Sequence, residues 1–203
     1  MSASINAGMV SLYRSLSLRK STRAVLLAVV MLVASSAGFA QLTSSTQSVT
    51  LNASLGETLT ISASPTTVNF TLVKSSTASG SSAVAIVTTW LLLPTRANVI
   101  LDGYFASASA ALTDGNSTPD NIPTSEVFGQ VPTGTPTSFT AFTQTAALGP
   151  SGAGLTLFTQ ALTSTNRAGT RTDNLSLQIN LAAQPQLPAG TYTGTLTLQA
   201  EAL

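Results

Sequence analysis

Few side chains in this sequence could do chemistry, and most of those are acids. The carboxylates are Glu57, Asp102, Asp114, Asp120, Glu126, Asp173 and Glu201. Two carboxylates flanking a bond could hydrolyse a glycoside. Most of these acids, however, stand beside turn residues, where an acid forms the turn or carries solvated charge. Asp102 differs, because in VILDGY it lies within an apolar run. It reads either as a turn former before Gly103 or as a partly buried acid paired with Arg96. The chain has no histidine and no cysteine. That excludes a Ser-His-Asp triad, a histidine or cysteine metal site and any disulfide. Lys74 is the one lysine beyond residue 40, within KSSTASGSS; a lysine in such a loop is a solvated charge rather than half of a Ser–Lys dyad. DGNSTPDN, 114–121, places oxygen groups on Asp114, Asn116, Thr118 and Asp120 at every second residue. Hard Ca²⁺ could use that spacing, although the late bidentate glutamate of a helix–loop–helix site is missing. Asp114, Asn116 and Asp120 are thus the only metal-ligand candidates, and no catalytic or cofactor-binding residue is expected. LGPSGAG lacks the lysine of a phosphate loop. Sequons at Asn52, Asn69, Asn116 and Asn174 are what a Ser/Thr-rich chain produces by chance.

The first 40 residues carry a different pattern. Arg14, Arg19, Lys20 and Arg23 precede the apolar run AVLLAVVMLVA, 24–34, and SSAGFA follows with small residues at Gly38 and Ala40. That order is a secretory signal, with cleavage expected after Ala40. The apolar run is shorter than the roughly 20 residues of a spanning helix. The expected domains are therefore a signal helix, 1–40, and one body, 41–203. With the leader removed, Lys74, Arg96, Arg167 and Arg171 face seven acids, a net charge of −3. Such a body has no electrostatic footprint for nucleic acid. Only 7% of the chain is charged while 43% is hydrophobic, so it is not a charge-solvated disordered chain.

What must position any site is a set of strands. Apolar residues alternate in SVTLNASLGETLTISAS, 48–64, with Gly56 interrupting, and again in VNFTLV, 68–73. AVAIVTTWLLL, 83–93, is apolar on both faces, as a central strand should be. NVILDGYF, 98–105, EVFGQV, 126–131, TSFTAFT, 137–143, and GLTLFTQALT, 154–163, follow. NLSLQINLAAQ, 174–184, and TYTGTLTLQAEA, 191–202, alternate most clearly. The stretch 106–126 reads as a short helix at its alanines and then a polar loop, and 164–173 as a loop carrying Arg167 and Arg171. About nine strands with turn signals between them predict an all-β antiparallel sandwich. The last strand is expected to pair with 174–184, with the first strand, or with a neighbouring molecule.

One phrase carries a family likeness. Pro188, Ala189, Gly190, Tyr192, Leu196 and Leu198 of PAGTYTGTLTLQ resemble the closing phrase of secreted bacterial immunoglobulin-like subunits of the spore coat protein U and chaperone–usher pilin type. The resemblance implies an immunoglobulin-like sandwich in a coat- or pilus-like subunit. Low charge and alternating terminal segments suit assembly through strand edges, because natural edges usually resist pairing with charge. The expected assembling segments are 47–55 and 191–202, and the expected partner is another copy or another surface subunit. The expectation is thus an exported, non-enzymatic structural protein of the periplasm, cell surface or exterior, with no membrane span once the signal is cut. The rival is a monomeric binding module for carbohydrate or a surface partner, its site near Tyr104, Phe105, Phe128, Phe139 and Phe142.

Overall fold

The computed structural model describes residues 43–203, so the expected signal helix and its cleavage point lie outside the described residues. The chain divides into two units, Met1–Asn52 and Ala53–Leu203. Residues 43–52, the described part of the first unit, have no regular structure and are exposed throughout.

The regular structure of the second unit is all strand apart from one 3₁₀ turn at Thr124–Glu126. Its strands are β1 (Thr58–Ser64), β2 (Thr77–Ser79), β3 (Val84–Leu91), β4 (Asn98–Tyr104), β5 (Leu112–Thr113) and β6 (Asn121–Ile122). They continue as β7 (Val127–Gln130), β8 (Thr140–Ala141), β9 (Gly154–Ala161), β10 (Ala168–Asn180) and β11 (Thr197–Ala202). A six-stranded sheet runs β1-β3-β10-β7-β8, with β2 also pairing β10. A three-stranded sheet runs β11-β4-β9, and β5 and β6 form a small ribbon. Every ladder is antiparallel.

The two main sheets pack face to face because each strand turns alternate side chains inward. Ile86, Leu175 and Ile179 come from the large sheet and Val99, Leu101, Leu155 and Leu157 from the small one, all with 0% exposure. Phe142 and Phe105 meet edge to face between them, ring centroids 5.3 Å apart. Gly129 in β7 makes room for that pair: a Cβ there would lie 2.9 Å from Leu155 Cδ2 and 3.1 Å from Phe142 Cε2. Trp90, 5% exposed, covers one end of the core and donates its indole N–H to Asn166 O at 2.9 Å.

Several expectations need correction. The alternating run 48–55 joins no strand, and β1 starts only at Thr58. VNFTLV also pairs with nothing in a ladder; Val68, Phe70 and Leu72 nevertheless sit half-buried against the core. Alternation reports which side faces apolar neighbours, not whether a hydrogen-bonding partner exists. The alanines of 106–111 form no helix; Ala111 instead leads into the β5–β6 ribbon. The run 164–173 is half strand, since β10 begins at Ala168 and continues for 13 residues. The final strand is shorter than 191–202 and pairs with β4, neither with 174–184 nor with the first strand. Of 137–143 only Thr140–Ala141 is strand.

Candidate functional site

The sandwich is closed along one flank and open along the other. On the closed flank, the outer edge of β9 is held at Gly154 by Gln144 and at Leu157 by Thr135 N–H, 2.8 Å. On the open flank the edges are β1 and β11, which lie close together in opposite sheets. Among the described residues each is paired on one side only, β1 with β3 and β11 with β4. The apolar centre of the core is fully buried, as at Ile86, Leu101 and Leu175, yet here Leu59, Ile61 and Ala63 of β1 and Leu198, Ala200 and Ala202 of β11 are only half-buried. Val68, Phe70, Leu72 and Leu196 share that state. The core is thus thinly covered along this flank, and among the described residues the outer edges of β1 and β11 carry backbone donors and acceptors outside any ladder.

A charged clip fixes one end of this flank. Glu57, the residue before β1, accepts from Arg96 Nε at 3.1 Å, from Arg96 Nη2 at 3.0 Å and from Leu93 N–H at 2.9 Å. Arg96 Nη1 also donates to Ala202 O at the end of β11, 3.3 Å. One guanidinium therefore ties both edges together. Arg167 braces the same turn by donating to Leu93 O and Arg96 O, both at 2.8 Å. The hydrogen bond from Arg96, followed by that from Leu93, holds the Glu57 carboxyl below the usual range. The same bond holds Arg96 above the usual guanidinium range. Just ahead of the clip, Val49, Leu51 and Leu55 are 81%, 89% and 75% exposed.

The titratable residues singled out by the sequence do not converge. Asp102 neither forms a turn nor pairs with Arg96. It lies mid-strand with 0% exposure, its Oδ2 accepting Leu148 N–H at 3.0 Å and its Oδ1 unpartnered. The register shifts there, with Leu101 opposite Phe158 and Asp102 opposite Thr156. Leu157 is the extra residue of a bulge in β9. In DGNSTPDN the Asp114 carboxylate is engaged by its own loop. Asp114 Oδ1 accepts the N–H groups of Asn116 and Asp120, each at 3.2 Å, and Oδ2 accepts the Asn116 side-chain amide. Among the described residues no three acidic side chains gather as a metal site.

Sequence reasoning missed the ion pair inside the sandwich. Arg171 and Asp173 stand two apart on the inward side of β10, and Asp173 is 1% exposed. Arg171 Nε donates to Asp173 Oδ2 at 2.6 Å and Nη2 to Oδ1 at 2.8 Å, while Thr133 Oγ1 donates to Oδ1 at 2.9 Å. The guanidinium carbon lies 4.8 Å from the Phe158 ring centre. The pair pins the 131–136 turn to the large sheet, and its hydrogen bond raises the Arg171 pKa. The available signal was the alternation itself, because an in-register extension of Leu175-Leu177-Ile179 backwards reaches Asp173 and Arg171. Of the aromatic residues, Phe105 and Phe142 are core, Tyr104 and Phe128 half-buried, and Phe139 is 39% exposed. Comparison with family models, with curated proteins and with solved structures finds no match.

Proposed function

We propose that this chain is an exported, non-enzymatic structural subunit that assembles by strand addition. Segment 47–55 of one copy lies along the open edge β11 of the next. One observation carries the reading: a segment with the alternation of a strand stands exposed, while the sandwich has a thinly covered flank whose edge is unpaired among the described residues. Val49, Leu51, Ala53 and Leu55 would turn to one side of the added strand. They would meet the half-buried rows of β1 and β11, while Ser48, Thr50, Asn52 and Ser54 face water. On this reading the sandwich is immunoglobulin-like, lacks its own last edge strand, and receives it from a neighbour. The likeness of PAGTYTGTLTLQ to coat and pilus subunits and the secretory pattern of residues 1–40 support the same role, with the assembled protein in the periplasm, on the cell surface or outside.

A contact in which a segment of one copy meets a different surface of the next is heterologous and builds rings or filaments. The absence of cysteine makes the geometry easy to test. Thr50→Cys and Gln199→Cys variants are purified separately, mixed and oxidised. Disulfide-linked heterodimers are expected in the mixture, and Leu51→Asp in the donor should suppress them. Variants that form no heterodimer, in a protein monomeric by sedimentation at every accessible concentration, would refute assembly. A monomeric binding module, the rival reading, draws on an uncharged pocket beside Phe139 and is independent of the open flank.

A further inference from the structure

The pocket beside Phe139 lies on the large sheet. It has a volume of about 170 Å³ and is lined by Ser79, Gly80, Ser82, Phe139, Ser176 and Leu177 among others. The topology explains why these residues meet. β2 and β7 pair with β10 on opposite sides, bringing Ser79 opposite Gln178 and Ser176 opposite Gln130. Phe139 immediately precedes β8, which pairs with β7. Gly80 donates its N–H to Leu177 O at 2.9 Å, and a Cβ at Gly80 would lie 2.6 Å from Val68 Cγ1. A side chain at residue 80 would therefore collide with Val68, so glycine is required there. Among the described residues, Phe139 is the one aromatic ring among the large apolar side chains that stand exposed.

The lining sets the ligand class. Its ionisable groups are none, so a charged ligand finds no counter-charge. A hydroxyl both donates and accepts, so three serines can answer a ligand that does the same. An aromatic ring offers a flat apolar face. A pyranose ring presents that combination, hydroxyls around its rim and C–H groups on one face. The volume is well below the ~300–1,000 Å³ of sites for drug-sized ligands, and suits one ring rather than a chain.

We propose that this pocket is a subsite for a neutral pyranose, stacked on Phe139 and hydrogen-bonded by Ser79, Ser82 and Ser176. The site uses no residue of β11 or of segment 47–55 and stands whether or not the chain assembles. The test is an amide NMR titration with methyl pyranosides of glucose, galactose, mannose and N-acetylglucosamine, each taken to roughly 100 mM, since so few contacts give millimolar binding at best. A neutral polysaccharide pull-down, run in parallel, tells a chain end from a free sugar. The expected result is shift changes confined to residues 79–83, 139 and 176–177 for at least one sugar. Phe139→Leu, which keeps the bulk and loses the ring face, should weaken binding about tenfold, and Ser176→Ala several-fold. Unchanged cross-linking of the Thr50→Cys and Gln199→Cys variants in Phe139→Leu would keep this site separate from assembly. No saturable shifts for any sugar, shifts centred elsewhere, or binding indifferent to Phe139→Leu would overturn the proposal.

Discussion

Replacing Asp173 by asparagine tests whether the core depends on the ion pair that the sheet carries on its inner face. The carboxylate is 1% exposed and takes three side-chain hydrogen bonds, two from Arg171 and one from Thr133. Asn keeps the shape but removes the charge, leaving the guanidinium without a counterion between the sheets. Removing one member of a buried pair costs about 3–5 kcal/mol. The Arg171 side chain keeps 25% exposure and rests on the Phe158 ring. Water and the ring therefore screen part of the loss, and the lower end, about 3 kcal/mol, applies. At about 2–4 °C per kcal/mol for a domain of this size, the melting temperature should fall by about 6–12 °C. Urea unfolding followed by tryptophan fluorescence reads the change, because Trp90 is buried in the same sheet. The double change Arg171→Met with Asp173→Leu should recover much of it, since an apolar pair of similar volume needs no counter-charge. A loss under about 0.5 kcal/mol in Asp173→Asn, or a double variant worse than the single, would show that the pair is not what pins the 131–136 turn.

Gly129→Ala should destabilise the sandwich by about 1–3 kcal/mol in urea melts, because the added methyl meets Leu155, Leu175 and Phe142 at 2.9–3.1 Å. The Glu57 carboxyl, held low by Arg96, stabilises the fold above its unfolded pKa, and this contribution disappears as pH falls through the lower folded value. A carboxyl NMR titration should therefore place Glu57 below the ordinary value of about 4.3, and Arg96→Gln should raise it toward that value, with the Leu93 N–H bond still lowering it. Tyr192 behaves in the opposite sense. Burial, and then the charges of Asp120 and Asp114, raise its phenol above the ordinary value of about 10. Its contribution is intact below the unfolded pKa and lost as pH rises through the folded one. Ultraviolet titration of tyrosinate should show this, and Asp120→Asn should reduce the shift.

The fold class was legible because apolar residues recur at every second position in both sheets, as at Leu175, Leu177 and Ile179 of β10 and Leu196, Leu198 and Ala200 around β11. Pairing was not. Leu55 and Leu59 look alike in sequence, yet one precedes β1 exposed and the other lies in it, because pairing depends on whether a distant strand offers its edge. Asp102 was misread for a related reason. An acid before glycine normally marks a turn, but here the loop at Leu148 folds over the sheet and supplies an N–H. Nothing near residue 102 encodes a partner 46 positions away. The Arg171–Asp173 pair was hidden by composition, since two charges in a polar stretch resemble a loop until the register from Leu175 is carried back.

On the proposed assembly, the open flank would also limit how tightly copies could hold one another. Fully burying Val49, Leu51 and Leu55 would contribute about 1.5–3 kcal/mol each, roughly 5–9 kcal/mol together. Association itself costs about 4–15 kcal/mol, so side-chain burial alone leaves no secure complex. The remainder must come from the main-chain ladder along β11, at about 0.5–1.5 kcal/mol net per hydrogen bond. Two consequences follow for an assembling subunit. Affinity is set by how many consecutive residues of β11 remain unpaired, which makes the Arg96 contact at Ala202 a boundary of the seat. Specificity is set by register, because a slip of one residue would turn Val49, Leu51 and Leu55 to water and Ser48, Thr50 and Asn52 toward the core.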